Sequence, residues 1–232
     1  MALAFVSGGS RGLGREVAAA LTARGDRVII IAKDPKRAAE TAAQIGTEFE
    51  LVDLENQSDT RALSESMLTK YGTPDIVVLA HGVMSEKMSK TLRTSDDEWN
   101  RVMNINLNST FTMVNAFGSK MAEARSGRII IFSACLGRMS GPGNAGGLAP
   151  YRISKAGVNA LVRNLAHETG HGSRGFLIDA ICPNHSRTDM GGPDAPRSAA
   201  EGAETAIWLA TREFQAGEQT GVLWEDREVI PW

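Results

Sequence analysis

Tyr151-Arg152-Ile153-Ser154-Lys155 is the segment whose residue types carry the most chemistry. On a helix, positions four apart share a face, so the phenol of Tyr151 and the ammonium of Lys155 project to one side. A free phenol has a pKa of about 10 and stays protonated at neutral pH, whereas a nearby positive charge favours its phenolate. Such a pair can pass a proton to a substrate oxygen or take one from it. The plainer reading is a lysine that lays its methylene stem along a core tyrosine. The chain has two tyrosines, and this one opens a helical stretch straight after the Gly- and Pro-rich run Arg138–Pro150.

A second segment with chemical content is Ser7-Gly8-Gly9-Ser10-Arg11-Gly12-Leu13-Gly14, which follows an apolar run and precedes Arg15-Glu16-Val17. Its glycines permit a tight turn and a close approach of backbone to a pyrophosphate, and the helix that follows offers unpaired N–H donors to an anion. Glycines alone also make ordinary turns. Here an apolar strand leads in and a helix leads out, which is the context a phosphate cradle needs.

Stepping outward, short apolar runs alternate with longer amphipathic segments. Strands are expected at Leu3–Ser7, Arg27–Ala32, Glu48–Val52, Ile76–Ala80, Arg128–Ser133, Leu177–Cys182 and Val222–Trp224. Helices are expected at Leu13–Arg24, Pro35–Ile45, Gln57–Tyr71, Asp96–Ala124, Tyr151–Thr169 and Ala199–Thr211. The alternation predicts an α/β fold, a single doubly wound (Rossmann) domain over residues 1–232, with a parallel sheet of about seven strands. Arg138–Pro150 and Pro183–Ser198 both follow strands, so they should border the ligand crevice at the strands' C-terminal edge.

The 232 residues carry 25 Lys plus Arg against 27 Asp plus Glu, a net charge of −2. That balance lacks the basic excess that binding nucleic acid by bulk charge requires. No apolar run approaches the roughly 20 residues of a spanning helix, and the opening Met1–Val6 is too short for a secretory leader. Cys135 and Cys182 stand far apart in the sequence, which suits reduced thiols in a cytoplasmic protein better than a disulfide framework.

The glycine spacing resembles the T-G-x-x-x-G-x-G loop of the short-chain dehydrogenase/reductase family, with Ser7 where that family usually has Thr. Tyr151 to Lys155 resembles the family's Y-x-x-S-K, Ser154 included. The resemblance runs along nearly the whole chain. Its tail, Arg187–Pro193 and Glu201–Thr205 to the closing Trp232, is similar to carbonyl-reductase-like members. It implies NADPH-dependent reduction of a ketone or aldehyde, or the reverse oxidation, with no metal. Tyr151 would be the general acid, Lys155 would orient the ribose and lower the phenol's pKa, and Asn106 would help hold a water that relays protons to the lysine. The family's long helices, here Asp96–Ala124 and Tyr151–Thr169, pair into dimers and tetramers, so a homo-oligomer is implied.

Ser7, Gly8, Ser10, Arg11, Gly12, Leu13 and Gly14 would then form the pyrophosphate loop. Ala32 and Lys33 end the second strand, where Lys33 occupies the slot that resembles the Arg of NADP-preferring members and Arg11 is a second cation; NADP is favoured over NAD. In the competing reading Asp34 accepts from the adenosine ribose hydroxyls and Lys33 is merely solvated. Asp53 and Leu54 look like the family's adenine-contacting pair, unless Asp53 is a helix N-cap. Ala80, His81 and Gly82 would meet the nicotinamide ribose. Pro183, Asn184, Ser186 and Thr188 match the segment around the carboxamide.

Departures from the family are informative. Strand five usually ends in Ser-Ser, the second hydroxyl binding the substrate carbonyl; this chain has Phe132-Ser133-Ala134-Cys135. Ala134 thus fills the serine's slot, and a one-residue shift turns Ser133 to the opposite face unless a bulge rotates it back. Either Ser133 is a displaced donor or the site lacks one; Ser140 is a weaker substitute. The family's N-N-A-G becomes Leu79-Ala80-His81-Gly82, where His81 reads as cofactor-lining rather than as a base. Asn184 replaces a glycine, which it can do if the position needs φ > 0. His185, Met139 and Met190 would give a partly apolar substrate pocket. Ala134 also keeps two other readings open, a catalytically degenerate NADP-binding sensor or scaffold, and an epimerase or dehydratase of the same family.

Overall fold

The computed structural model describes residues 1–86, 90–141, 146–215 and 218–232. In chain order its elements are β1 Leu3–Ser7, α1 Gly12–Ala23, β2 Arg27–Ala32, α2 Pro35–Ile45, β3 Glu48–Leu51, α3 Gln57–Tyr71 and β4 Ile76–Leu79. Next come α4 Asp96–Met103, α5 Ser109–Met113, α6 Ser119–Glu123, β5 Arg128–Phe132, α7 Ala149–Thr169, β6 Leu177–Ile181, α8 Ala199–Thr211, β7 Leu223–Glu225 and β8 Glu228–Ile230. The strands form one sheet in the order β3-β2-β1-β4-β5-β6-β7-β8. All pairings are parallel except β7 with β8. The expected seven parallel strands are there, and β8 adds an antiparallel edge.

The near-continuous Ile and Val runs follow from burial on both faces. Side chains alternate across each strand, so Phe5, Ile29, Ile31, Val77, Leu79, Ile129 and Ile131 pack with α3, α5 and α7. Ala4, Val6, Ile30, Val78, Ile130 and Phe132 pack with α1 and α8 on the other face. The strand order switches direction between the parallel neighbours β1 and β4, which opens a crevice above their C-terminal ends.

Two expectations need correction. The helix expected over Asp96–Ala124 is interrupted by π-helical turns at Asn104–Asn108 and Val114–Gly118, a widening that side-chain periodicity does not announce. Cys135 and Cys182 are not free thiols: they are joined in a disulfide, with Cα atoms 5.6 Å apart. Cys135 follows β5 and Cys182 follows β6, and those strands are hydrogen-bonded neighbours. Among the described residues no helix is long and apolar enough to cross a membrane.

Candidate active site

The loop after β1 makes the cradle. Gly8 and Gly12 both have positive φ, 67° and 51°, and a Cβ on Gly8 would lie 2.9 Å from the backbone nitrogen of His81. A Cβ on Gly14 would overlap the carbonyl oxygen of Gly8. Helix α1 has no side-chain cap at Arg11 and no acid in its first turn, so its leading N–H groups and its positive dipole end stay open to an anion. The residues present therefore fit a pyrophosphate.

Above the cradle lies a cavity of about 490 Å³. Gly8, Ser10, Arg11, Gly12, Leu13, Gly14, Ala32, Lys33, Asp53, Leu54, Ala80, His81, Gly82 and Thr188 line it, most of the residues expected to hold a dinucleotide. Tyr151, Pro183, Asn184 and Ser186 line a neighbouring cavity instead, and Lys155 and Ser7 line neither. Ser7 is fully buried, and its hydroxyl sits 2.5 Å from His81 Nδ1. The far ring nitrogen of His81 meets Ser109 Oγ at 2.9 Å and Thr110 Oγ1 at 3.2 Å. Burial, with the Lys155 charge as a second cause, pushes His81 down to about 3. A neutral imidazole wedged between β1 and α5 acts as a strut, which removes the reading of His81 as a base.

At the outer end of that cavity, Lys33 Nζ is 2.5 Å from Asp53 Oδ2. Arg11 pairs with Asp189, and Arg37, which belongs to no motif in the sequence, lies 3.6 Å from the same carboxylate. Asp34 caps α2 by accepting from the Arg37 backbone N–H, which holds its carboxyl below the usual range. Asp53 does not cap α3, because Asn56 does; the hydrogen bond from Lys33 lowers Asp53. The mouth thus presents three cations, Arg11, Lys33 and Arg37, whose ion pairs are all exposed and cheap to rearrange.

The residues expected to be catalytic converge at the inner end. Asn106 sits in the first π turn, its Oδ1 accepting from Val83 N at 2.8 Å and its Nδ2 donating to Val83 O and to Ser154 Oγ, both at 3.0 Å. A Cβ on Gly82 would lie 3.4 Å from Asn106 Oδ1 and 3.5 Å from Lys155 Nζ. Lys155 donates to Phe132 O at 2.6 Å, and its Nζ lies 5.9 Å from the centre of the Tyr151 ring. Burial lowers Lys155 to about 8 and raises Tyr151 to about 12. The phenol is therefore protonated at neutral pH, the form that can donate. Lys155 is charged below about pH 8 and loses that charge above it. We expect kcat/KM for the dinucleotide to fall as pH rises through this region, measured from pH 6 to 10 at saturating carbonyl.

Tyr151 lines a second cavity of about 520 Å³, which shares Leu13, Thr188 and Met190 with the first. Ala134, Leu136, Met84 and the disulfide give it an apolar wall, and Pro183, Asn184, His185 and Ser186 close one side. Asn184 adopts φ 57°, the conformation its glycine-like position required. Ser133 borders the cavity but donates to Asn159 Oδ1 at 2.5 Å and is 3% exposed. Its expected role as substrate donor is corrected on that ground: the hydroxyl fastens β5 to α7. Ser140 is exposed and donates to Trp232 O, and Met139 is exposed and lies outside the cavity lining. Residues 142 to 145 of the loop expected to wall the substrate lie outside the described residues.

A family model for short chain dehydrogenase matches residues 2–198. The chain is a short-chain dehydrogenase/reductase. The enzyme is 33% identical over 190 residues to the 3-oxoacyl-[acyl-carrier-protein] reductase FabG of Salmonella typhimurium, covering 81% of this chain and 75% of that one. It is 35% identical over 204 residues to FabG of Pseudomonas aeruginosa, covering 85% and 79%. A solved structure of a short chain dehydrogenase/reductase family protein superposes with a TM-score of 0.83 at 24% identity, over 96% of this chain and 94% of that one, a likeness of fold. Another, described as ribose-5-phosphate isomerase from Brucella melitensis, gives 0.84 at 27% identity over 96% and 89%. This short-chain dehydrogenase/reductase is thus an oxidoreductase of the ketoreductase kind with a nicotinamide dinucleotide as cofactor, and the cations at the adenosine end match NADP.

Proposed function

We propose that the enzyme reduces a ketone or aldehyde to an alcohol with NADPH, Tyr151 supplying the proton. One observation carries the reading: Tyr151 and Lys155 occupy one face of α7 where the dinucleotide-sized cavity meets a second, largely apolar one. When bound, the cofactor supplies the hydride. Tyr151 donates its proton to the substrate oxygen, and Lys155, charged at neutral pH, stabilises the phenolate left behind. Asn106 keeps the Val83 backbone and Ser154 fixed around Lys155. With Ser133 engaged by Asn159 and Ala134 beside it, the proton falls to Tyr151. The relatives whose name specifies 3-oxoacyl reduction support a ketone as the reacting group. Phe111 and Ile153, half-exposed on α5 and α7, fit helix faces that pair in a homo-oligomer.

The test is a titration of the purified protein with NADPH and NADH, followed by a panel of ketones and aldehydes. NADPH oxidation with alcohol formation is expected. Binding without turnover would favour a sensor, and redox-neutral conversion an epimerase. Lys33→Ala combined with Arg37→Ala is expected to weaken NADPH at least tenfold, from lost charge-assisted hydrogen bonds to the 2′-phosphate, and to leave NADH within about threefold. Equal losses for both dinucleotides would reject these cations as the phosphate readers.

A further inference from the structure

Five buried side-chain polar atoms lack a partner among the described residues, and two of them, Arg138 Nε and Asn184 Nδ2, belong to residues that line the cavity holding Tyr151. Both are donors. Arg138 has no ion pair with any described carboxylate, while its guanidinium rests against Gly141, 3.5 to 3.7 Å from where a Cβ would stand. The one acid in the lining, Glu225, lies against Cys135 Sγ at 3.4 Å. A buried donor left unsatisfied is destabilising unless a ligand completes it. An arginine fork matches carboxylate and phosphate oxygens better than any neutral group.

We propose that Arg138 reads an anionic oxygen group, a carboxylate or a phosphate, on the carbonyl substrate, with Asn184 as a second donor. This rests on the reductase reading and narrows its substrate class. It also gives the apolar wall a purpose: Ala134, Leu136 and Met84 line the same cavity as Arg138, so an oxyanion bound there is discriminated from its neutral analogue.

The experiment compares straight-chain oxo-carboxylates, from pyruvate to 5-oxohexanoate, each with its methyl ester, and dihydroxyacetone phosphate with dihydroxyacetone, all with NADPH. At least one acid should exceed its neutral partner tenfold or more in kcat/KM. Arg138→Met should bring that ratio near one by raising KM for the acid more than it lowers kcat, and Arg138→Lys should restore part of it. Preference for dihydroxyacetone phosphate alone would assign the anion as phosphate. Acids and esters reduced equally by the native enzyme, or a ratio that survives Arg138→Met, would overturn the proposal and leave the reductase reading intact. Should no carbonyl turn over, that reading fails, and calorimetry of the same acids on NADPH-loaded native and Arg138→Met protein decides the proposal instead. If Arg138→Met does not fold, the acid-to-ester ratio of the native enzyme decides.

Discussion

Tyr151→Phe is expected to lower kcat for carbonyl reduction by about 10²- to 10⁴-fold, the range that a positioned proton donor contributes. The substitution removes one oxygen and keeps the ring, and the ring is what packs: Tyr151 is 6% exposed, and its backbone N–H donates to Ser85 Oγ at 2.9 Å. Fold and NADPH affinity should therefore survive, which makes lost turnover a statement about chemistry. The effect is expected to be large because neither of the two other candidates, Ser133 and His81, is free to supply the proton. Ser133 is held by Asn159, and His81 is kept neutral inside its ring of hydroxyls. Single-turnover reduction by the NADPH-loaded variant, with circular dichroism as the folding control, checks this. A variant that keeps full reduction would refute Tyr151 as the acid.

How far the sequence reached depends on whether each feature is local. Helices α2, α3 and α8 begin and end where the periodicity puts them, and the structure shows Asp34, Asn56 and Ser198 capping them. Strands β1, β2 and β4 to β6 are legible because burial on both faces demands unbroken apolar runs. Strand β8 was not legible, since the loop that creates it, Asp226-Arg227, has φ 51° and 65° without a glycine or asparagine to advertise the turn. The site divides the same way. Tyr151, Lys155 and the glycine loop carry their spacing in the chain. The Ser7–His81 contact, the Ser133–Asn159 bond and the Cys135–Cys182 disulfide join positions brought together by sheet order, about which the separations of 74, 26 and 47 residues say nothing. Arg37 left one faint signal, a cation one helical turn past Lys33 at the start of α2.

Asp179→Ala is expected to destabilise the fold by about 3 kcal/mol, the cost of breaking a buried charged network by removing one partner. Asp179 stands in β6 and is 3% exposed. It accepts from Trp224 Nε1 at 3.0 Å and Thr220 Oγ1 at 3.1 Å, and Arg212 lies 3.8 Å away. Truncation would orphan the indole N–H and leave Arg212, itself nearly buried, without that carboxylate. Yet the native charge is also expensive: burial raises Asp179 to about 6 despite these partners. Because the folded pKa exceeds the unfolded one, near 3.8, the native state holds more protons between these values, and this residue's contribution to stability declines as pH rises through that window. Asp179→Asn keeps an acceptor and removes the titration, while Arg212 retains Gln219 O at 2.9 Å and the rings of Trp208 and Trp224. Its stability relative to the native protein should therefore improve on going from pH 4 to pH 7. Urea unfolding of the three proteins at both pH values checks this. An Asp179→Asn difference that does not move with pH, or an Asp179→Ala loss below about 1 kcal/mol, would mean that the network is better solvated than its burial implies.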